Sequence, residues 1–116
     1  MRTSIALPAA LLVPLLFSCG TTQPSSAQDP ASELAVWRGK IDEVDKEIVA
    51  LLNRRAGYVQ QLAPLKKQIG MAVLDPGREE IVRNNLREAN QGPLTDQAVT
   101  AVYESIMAAM RDLQTR

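Results

Sequence analysis

Residues 34–69 read LAVWRGKIDEVDKEIVALLNRRAGYVQQLAPLKKQI, and the spacing of their apolar side chains decides the fold. Steps of three and four land on Leu34, Trp37, Ile41, Val44, Ile48, Leu51 or Leu52, position 55, Val59, Leu62, position 66 and Ile69. This is the period of an amphipathic helix of about ten turns, at ~3.6 residues each. Two steps break the stripe, and both are cations: Arg55 and Lys66. Counting about 100° per residue from Ile41, Arg55 falls at about −40° and Lys66 at about −20°. Most of the apolar residues lie within the arc from about −80° to about +20°. Arg38 sits on the flank of the same face, at about +60°. A charge turned toward a core without a partner costs several kcal/mol, so these positions call for an anion.

Outward from this stretch, the chain punctuates itself clearly. Asp29 or Ser32 can cap the start of helix 1, and Gly70 is a natural stop. Gly39, Gly57 and Pro64 are unfavourable inside the helix, at about 1 kcal/mol for each glycine and about 3 for the proline. Pro64 also takes the helical partner from the Gln60 carbonyl, so a kink is expected just before Lys66. Asp75-Pro76 opens helix 2, with Asp as cap and Pro at the first helical position. Helix 2 should run to about Asn90, with Val82, Leu86 and Ala89 on one face. Gln91-Gly92-Pro93 breaks the chain, and Thr95 caps helix 3. Helix 3 carries Val99, Val102, Tyr103, Ile106, Met110 and Leu113 at helical spacing, with Gln114 at the edge of that stripe. No strand pattern, internal repeat or glycine-rich phosphate loop is present in the sequence.

The fold class is therefore all-α, with one long helix and two shorter ones. A helix of ~36 residues spans roughly 54 Å, too long for a compact monomer of this size. A second copy is expected to cover its stripe, giving a homodimer with the first helix of each chain paired along the other.

Composition narrows the function. The chain has 116 residues, enough for one domain, and aromatics make up only 3%, so the core must be aliphatic. Formal net charge is zero; without the first 18 residues, 12 cations face 13 anions. No basic surplus exists to hold a nucleic-acid backbone. Histidine is absent and Cys19 is the sole cysteine. Ser-His and Cys-His nucleophile pairs and a His/Cys zinc site are thereby excluded.

Residues 1–19 read as a signal peptide: Arg2 gives the positive end, and the apolar run from Ile5 to Phe17 is too short for a typical membrane span. Leu16-Phe17-Ser18-Cys19-Gly20 resembles a bacterial lipobox, in which Cys19 would be lipidated; Phe17 departs from the small or β-branched residue usual there. Residues 20–32 are rich in Ser, Thr, Gln and Pro and are expected to form a flexible linker. The helical domain is then 33–116. The expected location is outside the cytoplasm, periplasmic or anchored to a membrane through a lipid on Cys19.

The candidate site gathers around the two cations of the stripe. Arg55 and Lys66 are eleven residues apart, a rise of about 16 Å. Their long side chains can lean together and clamp a small dianion. Arg78 and Glu79 open helix 2 beside the positive end of its dipole, itself favourable for anions. Arginines and lysine with one carboxylate and one amide suit a polycarboxylate ligand, transformed by holding its shape and stabilising its charge. Arg54, Lys67, Arg83 and Arg87 read as solvated charges.

Trp37-Arg38-Gly39-Lys40-Ile41-Asp42-Glu43-Val44-Asp45, Leu51-Leu52-Asn53-Arg54-Arg55, Lys66-Lys67 and Asp75-Pro76-Gly77-Arg78-Glu79 together resemble the all-helical (type II) chorismate mutases. The resemblance covers residues 34 to 114. It implies an intertwined homodimer that converts chorismate to prephenate by an intramolecular Claisen rearrangement, without a cofactor. By the same resemblance Arg55 grips a substrate carboxylate, and Arg38 reaches into the partner subunit's site to hold a carboxylate there. Lys66 and Gln114 hydrogen-bond the ether oxygen. Arg78 supports the carboxylates, Glu79 binds the ring hydroxyl and Asp75 contributes near it. The chain departs from the family at Met110, where relatives often carry a serine, at Leu74, and at Pro64 beside Lys66. Two other readings compete. An isochorismate-pyruvate lyase shares the fold, but such proteins tend to lack the pattern that Asp75, Arg78 and Glu79 keep. A non-catalytic helical lipoprotein would carry apolar residues where Arg55 and Lys66 stand.

Overall fold

A computed structural model describes residue 20 and residues 29–116. The expected signal over 1–19, with Cys19, and residues 21–28 of the expected linker lie outside the described residues. Those described form three helices and no strand: α1 Pro30–Gln68, α2 Pro76–Ala89 and α3 Asp96–Gln114. At 39 residues, α1 is about 58 Å long.

Local chemistry sets each boundary. α1 begins at Pro30, two residues before the end of the stretch read as linker. Proline and alanine there resemble tether composition, but a proline at the first helical position lacks only an N–H that the helix would leave unbonded. Asp29 occupies the cap position without a side-chain cap bond. The helix continues through Pro64. It ends in a Schellman arrangement: the Met71 N–H donates to the Lys66 carbonyl at 2.8 Å and the Gly70 N–H to the Lys67 carbonyl at 3.3 Å. Gly70 makes this turn with φ +67°, a conformation that favours glycine. The Asp75 carboxylate accepts from the Arg78 N–H at 3.0 Å and the Thr95 hydroxyl from the Ala98 N–H at 3.1 Å, so both expected caps are made.

α3 packs against both α1 and α2. Among the described residues only Val59, Met107 and Met110 are buried, a small core for the length of the helices. Every residue from 29 to 51 is exposed. On that half of α1, Trp37 is 54% exposed, Ile41 58% and Ile48 46%. The stripe is thus bare over its first half and covered only in part by its own chain over the second, where Val59 is buried but Leu62 and Ile69 stay exposed. α2 buries no residue, so its hold on α3 leans on polar ties. Among the described residues no helix is long and apolar enough to cross a membrane.

Candidate active site

Where α1, α2 and α3 converge they enclose a cavity of about 290 Å³. Arg55 and Lys66 line it from α1; Asp75 caps α2 at its edge; Arg78 and Glu79 enter from the first turn of α2; and Gln114 closes it from the end of α3. Six of the seven substrate-site residues expected from the sequence are therefore brought together. Tyr58, Val59, Leu62, Val73, Val82 and Met107 supply an apolar wall. Arg55 and Lys66 are half-buried rather than engulfed, so their stems pack while their charged ends stay available to a ligand.

Arg38 stands apart. It lies seventeen residues before Arg55 on an exposed stretch of the same helix, about 26 Å along the axis, and does not line the cavity.

Individual bonds already orient the site. Lys66 Nζ donates to the Val73 carbonyl at 2.9 Å, which ties the end of α1 to the connector before α2. Gln114 Nε2 donates to the Met110 carbonyl at 3.3 Å, a long bond, while Gln114 Oε1 is buried without a partner. A buried acceptor left unpaired is unfavourable by roughly 1–3 kcal/mol, so this amide is primed to change partners. Met110, buried among these groups, gives the cavity an apolar patch.

Sequence reading missed one member, Arg111. It lines the cavity from α3, and its Nη1 donates to Glu79 Oε1. No spacing rule could reveal it, because the two residues are 32 positions apart on different helices. Its only signal is a cation three residues before Gln114, nearly one turn back on the same helix.

Arg83 corrects another expectation. Read as a solvated charge, it is only 23% exposed and donates Nε to Glu104 Oε1 at 2.6 Å and Nη2 to Glu104 Oε2 at 3.3 Å. It also meets Glu80 at 3.3 Å and Glu79 Oε2 at 3.5 Å. The hydrogen bond to Glu104 leads in holding the Arg83 guanidinium above the ordinary arginine range. The same bond, with the charges of Arg83 and Arg111, holds the Glu104 carboxyl below its usual value. This fork joins α2 to α3 just outside the cavity.

The cavity lining holds four cations, Arg55, Lys66, Arg78 and Arg111, against two carboxylates, Asp75 and Glu79, a formal surplus of two positive charges. Such a pocket, walled with apolar side chains, is matched to a small dianion.

The chain matches the family model described as "Chorismate mutase type II" over residues 37–115. It is 37% identical over 71 residues to the bifunctional chorismate mutase/prephenate dehydratase of Neisseria gonorrhoeae, an overlap of 61% of this chain and 19% of that protein. It is 36% identical over 56 residues to the chorismate mutase of Methanocaldococcus jannaschii, covering 48% of this chain and 57% of that one. The chain thus spans about a fifth of the first relative and just over half of the second. Among solved structures, chorismate mutase (Form II) from Thermus thermophilus superposes with a TM-score of 0.70 at 32% identity, over 72% of this chain and 96% of that chain.

Proposed function

The chain belongs to the type II chorismate mutase family, and from that premise we propose that it is an isomerase converting chorismate to prephenate. One observation carries the reading: the cavity pairs a double positive surplus with the residues that the family pattern assigns to the substrate. Chorismate carries two carboxylates, an enolpyruvyl ether and a ring hydroxyl. In the rearrangement the ether C–O bond breaks as a C–C bond forms between the side chain and the ring, and negative charge grows on the ether oxygen. No nucleophile or proton transfer is needed. The protein has only to fold the side chain over the ring and stabilise that charge.

Arg55 and Arg78 hold the carboxylates. Lys66 turns from the Val73 carbonyl to the ether oxygen. Gln114 supplies the second donor by releasing its long bond to Met110. A neutral amide gives that hydrogen bond at any ordinary pH. Glu79 accepts from the ring hydroxyl, with Asp75 beside it. An acceleration of ~10⁶-fold requires about 8 kcal/mol; an oriented substrate and two donors at the ether oxygen are of the right order.

The active species is a homodimer. The support is the bare apolar stripe from Leu34 to Leu51, since a helix of that length draws most of its stability from packing rather than from propensity. A second α1 laid along it brings Arg38 to the partner's cavity, where it completes the grip on a carboxylate. The signal-like residues 1–19 support export, with Cys19 as candidate lipid anchor.

The test is to incubate the protein lacking residues 1–19 with chorismate, and separately with isochorismate, and to identify the products. Prephenate is expected. Salicylate and pyruvate from isochorismate would indicate the lyase, and unchanged substrate in both would end the catalytic reading.

A further inference from the structure

Arg111 is the one cation lining the cavity that neither the apolar stripe nor the family pattern accounts for. Its guanidinium reaches across from α3 to one oxygen of Glu79 on α2, while the other oxygen faces Arg83 Nη2 at 3.5 Å. Glu79 is thereby held from both sides, at 16% exposure, on the cavity wall. A glutamate side chain ordinarily loses up to about 2 kcal/mol of rotamer freedom when it is ordered. Here that freedom is already gone before a ligand arrives. Each carboxylate oxygen can accept more than one hydrogen bond, so the pairing leaves acceptor capacity facing the cavity.

The geometry points to Arg111 as a positioning residue that aims the Glu79 carboxylate at the substrate's ring hydroxyl. Charge-assisted pairs between arginine and carboxylate are directional as well as strong, because the guanidinium is a planar fork. Arg83 cannot serve in its place, since its shorter bonds go to Glu104 and Glu80. The inference rests on the mutase reading, in which Glu79 receives that hydroxyl.

The experiment compares chorismate with an analogue lacking the ring hydroxyl, using the full chain and three variants: Arg111→Met, Arg111→Lys and Glu104→Gln. Glu104→Gln weakens the other tie between α2 and α3 at a residue that neither lines the cavity nor bonds to Glu79 itself. Arg111→Met should lower kcat/KM for chorismate by about 10–100-fold, the range of a charge-assisted hydrogen bond. Its loss on the hydroxyl-free analogue should be smaller by about tenfold. Arg111→Lys, which keeps the charge but not the fork, should fall between wild type and the methionine variant. Glu104→Gln should leave the ratio between the two substrates unchanged.

Equal losses on both substrates in Arg111→Met would overturn the inference. So would a shift in that ratio caused by Glu104→Gln, which would make Arg111 one general strut between α2 and α3. Should Arg111→Met lose its helical signal, the Arg111→Lys ratio decides: a wild-type ratio overturns the role, a reduced one supports it. A wild-type chain that leaves chorismate unchanged overturns the mutase reading itself, and is seen before any variant is made.

Discussion

From Leu34 to Leu51 and from Leu52 to Ile69, α1 carries one apolar stripe of one period, yet the two halves meet different surroundings. The first is exposed throughout; the second is roofed in part by α3 and contributes to a cavity whose lining carries a formal surplus of two positive charges. Periodicity alone cannot distinguish them, because it reports only that a face must be covered. What covers it differs: the same chain at one end and, on our reading, a second copy at the other. The site is then an intramolecular construction completed by an intermolecular one, and the two parts can be broken separately.

Breaking the cavity half should have the largest effect. On the proposed mechanism Lys66→Ala removes a donor at the ether oxygen, and turnover of chorismate should fall at least about a hundredfold, the usual consequence of losing one such donor. Because Lys66 is half-buried and, among the described residues, bonds only to the connector carbonyl, helical content by circular dichroism and mass by sedimentation should stay as in wild type. Turnover retained within a few-fold would take Lys66 out of the mechanism.

Breaking the bare half should separate the copies and lower activity as a consequence. Ile41→Glu with Ile48→Glu places charges on the exposed stripe, where each would be desolvated by a partner helix, at several kcal/mol if unpaired. Sedimentation should show dissociation, with activity falling as the dimer does. A mixing experiment sharpens the point. Arg38→Ala and Lys66→Ala chains, each poorly active alone, should recover about a quarter of wild-type turnover when mixed and re-equilibrated. Half of the dimers are then hybrids, and one of each hybrid's two sites is intact. No recovery would mean that Arg38 serves its own chain or none.

The same contrast explains what the sequence could and could not tell. Caps were readable because their chemistry is local: Asp75 and Thr95 each sit three residues before the N–H they accept from. Arg55 and Lys66 were readable because a cation interrupting an apolar stripe is itself an anomaly. Of the two starts offered for α1, Asp29 and Ser32, the helix takes the earlier, since Pro30 opens a helix as readily as it stiffens a tether. The ties of Arg111 to Glu79 and of Arg83 to Glu104 were not readable. They span 32 and 21 residues between two helices, and a side-chain pairing rule reaches only one helical turn, far enough for the pairs of Arg83 with Glu79 and Glu80 and no further. The cavity's second charge layer is thus a product of how α2 lies on α3, not of any motif.

That layer offers the smallest and most specific effect. The Arg83 hydrogen bond holds the Glu104 carboxyl below its ordinary value of 4.5 in the folded protein. A depressed carboxyl pKa means that the unfolded chain binds the proton more readily than the folded one. The contribution is therefore fully present above the unfolded value and is lost as pH falls through the folded one. Arg83, held above its usual range, stays charged throughout, so Glu104 alone sets this window. Glu104→Gln should lower the urea midpoint slightly at neutral pH. On acidification below about pH 4.5, the wild-type and variant midpoints should converge, because the wild type loses what the variant never had. With Glu104 45% exposed, water screens the pair and keeps the gap small. A gap that stays constant from neutral to acid pH would mean that the fork joins α2 to α3 by shape rather than by charge. The tie flanking Glu79 would then be indifferent to pH, and the contrast between a packed stripe and a charged seam would lose its electrostatic half.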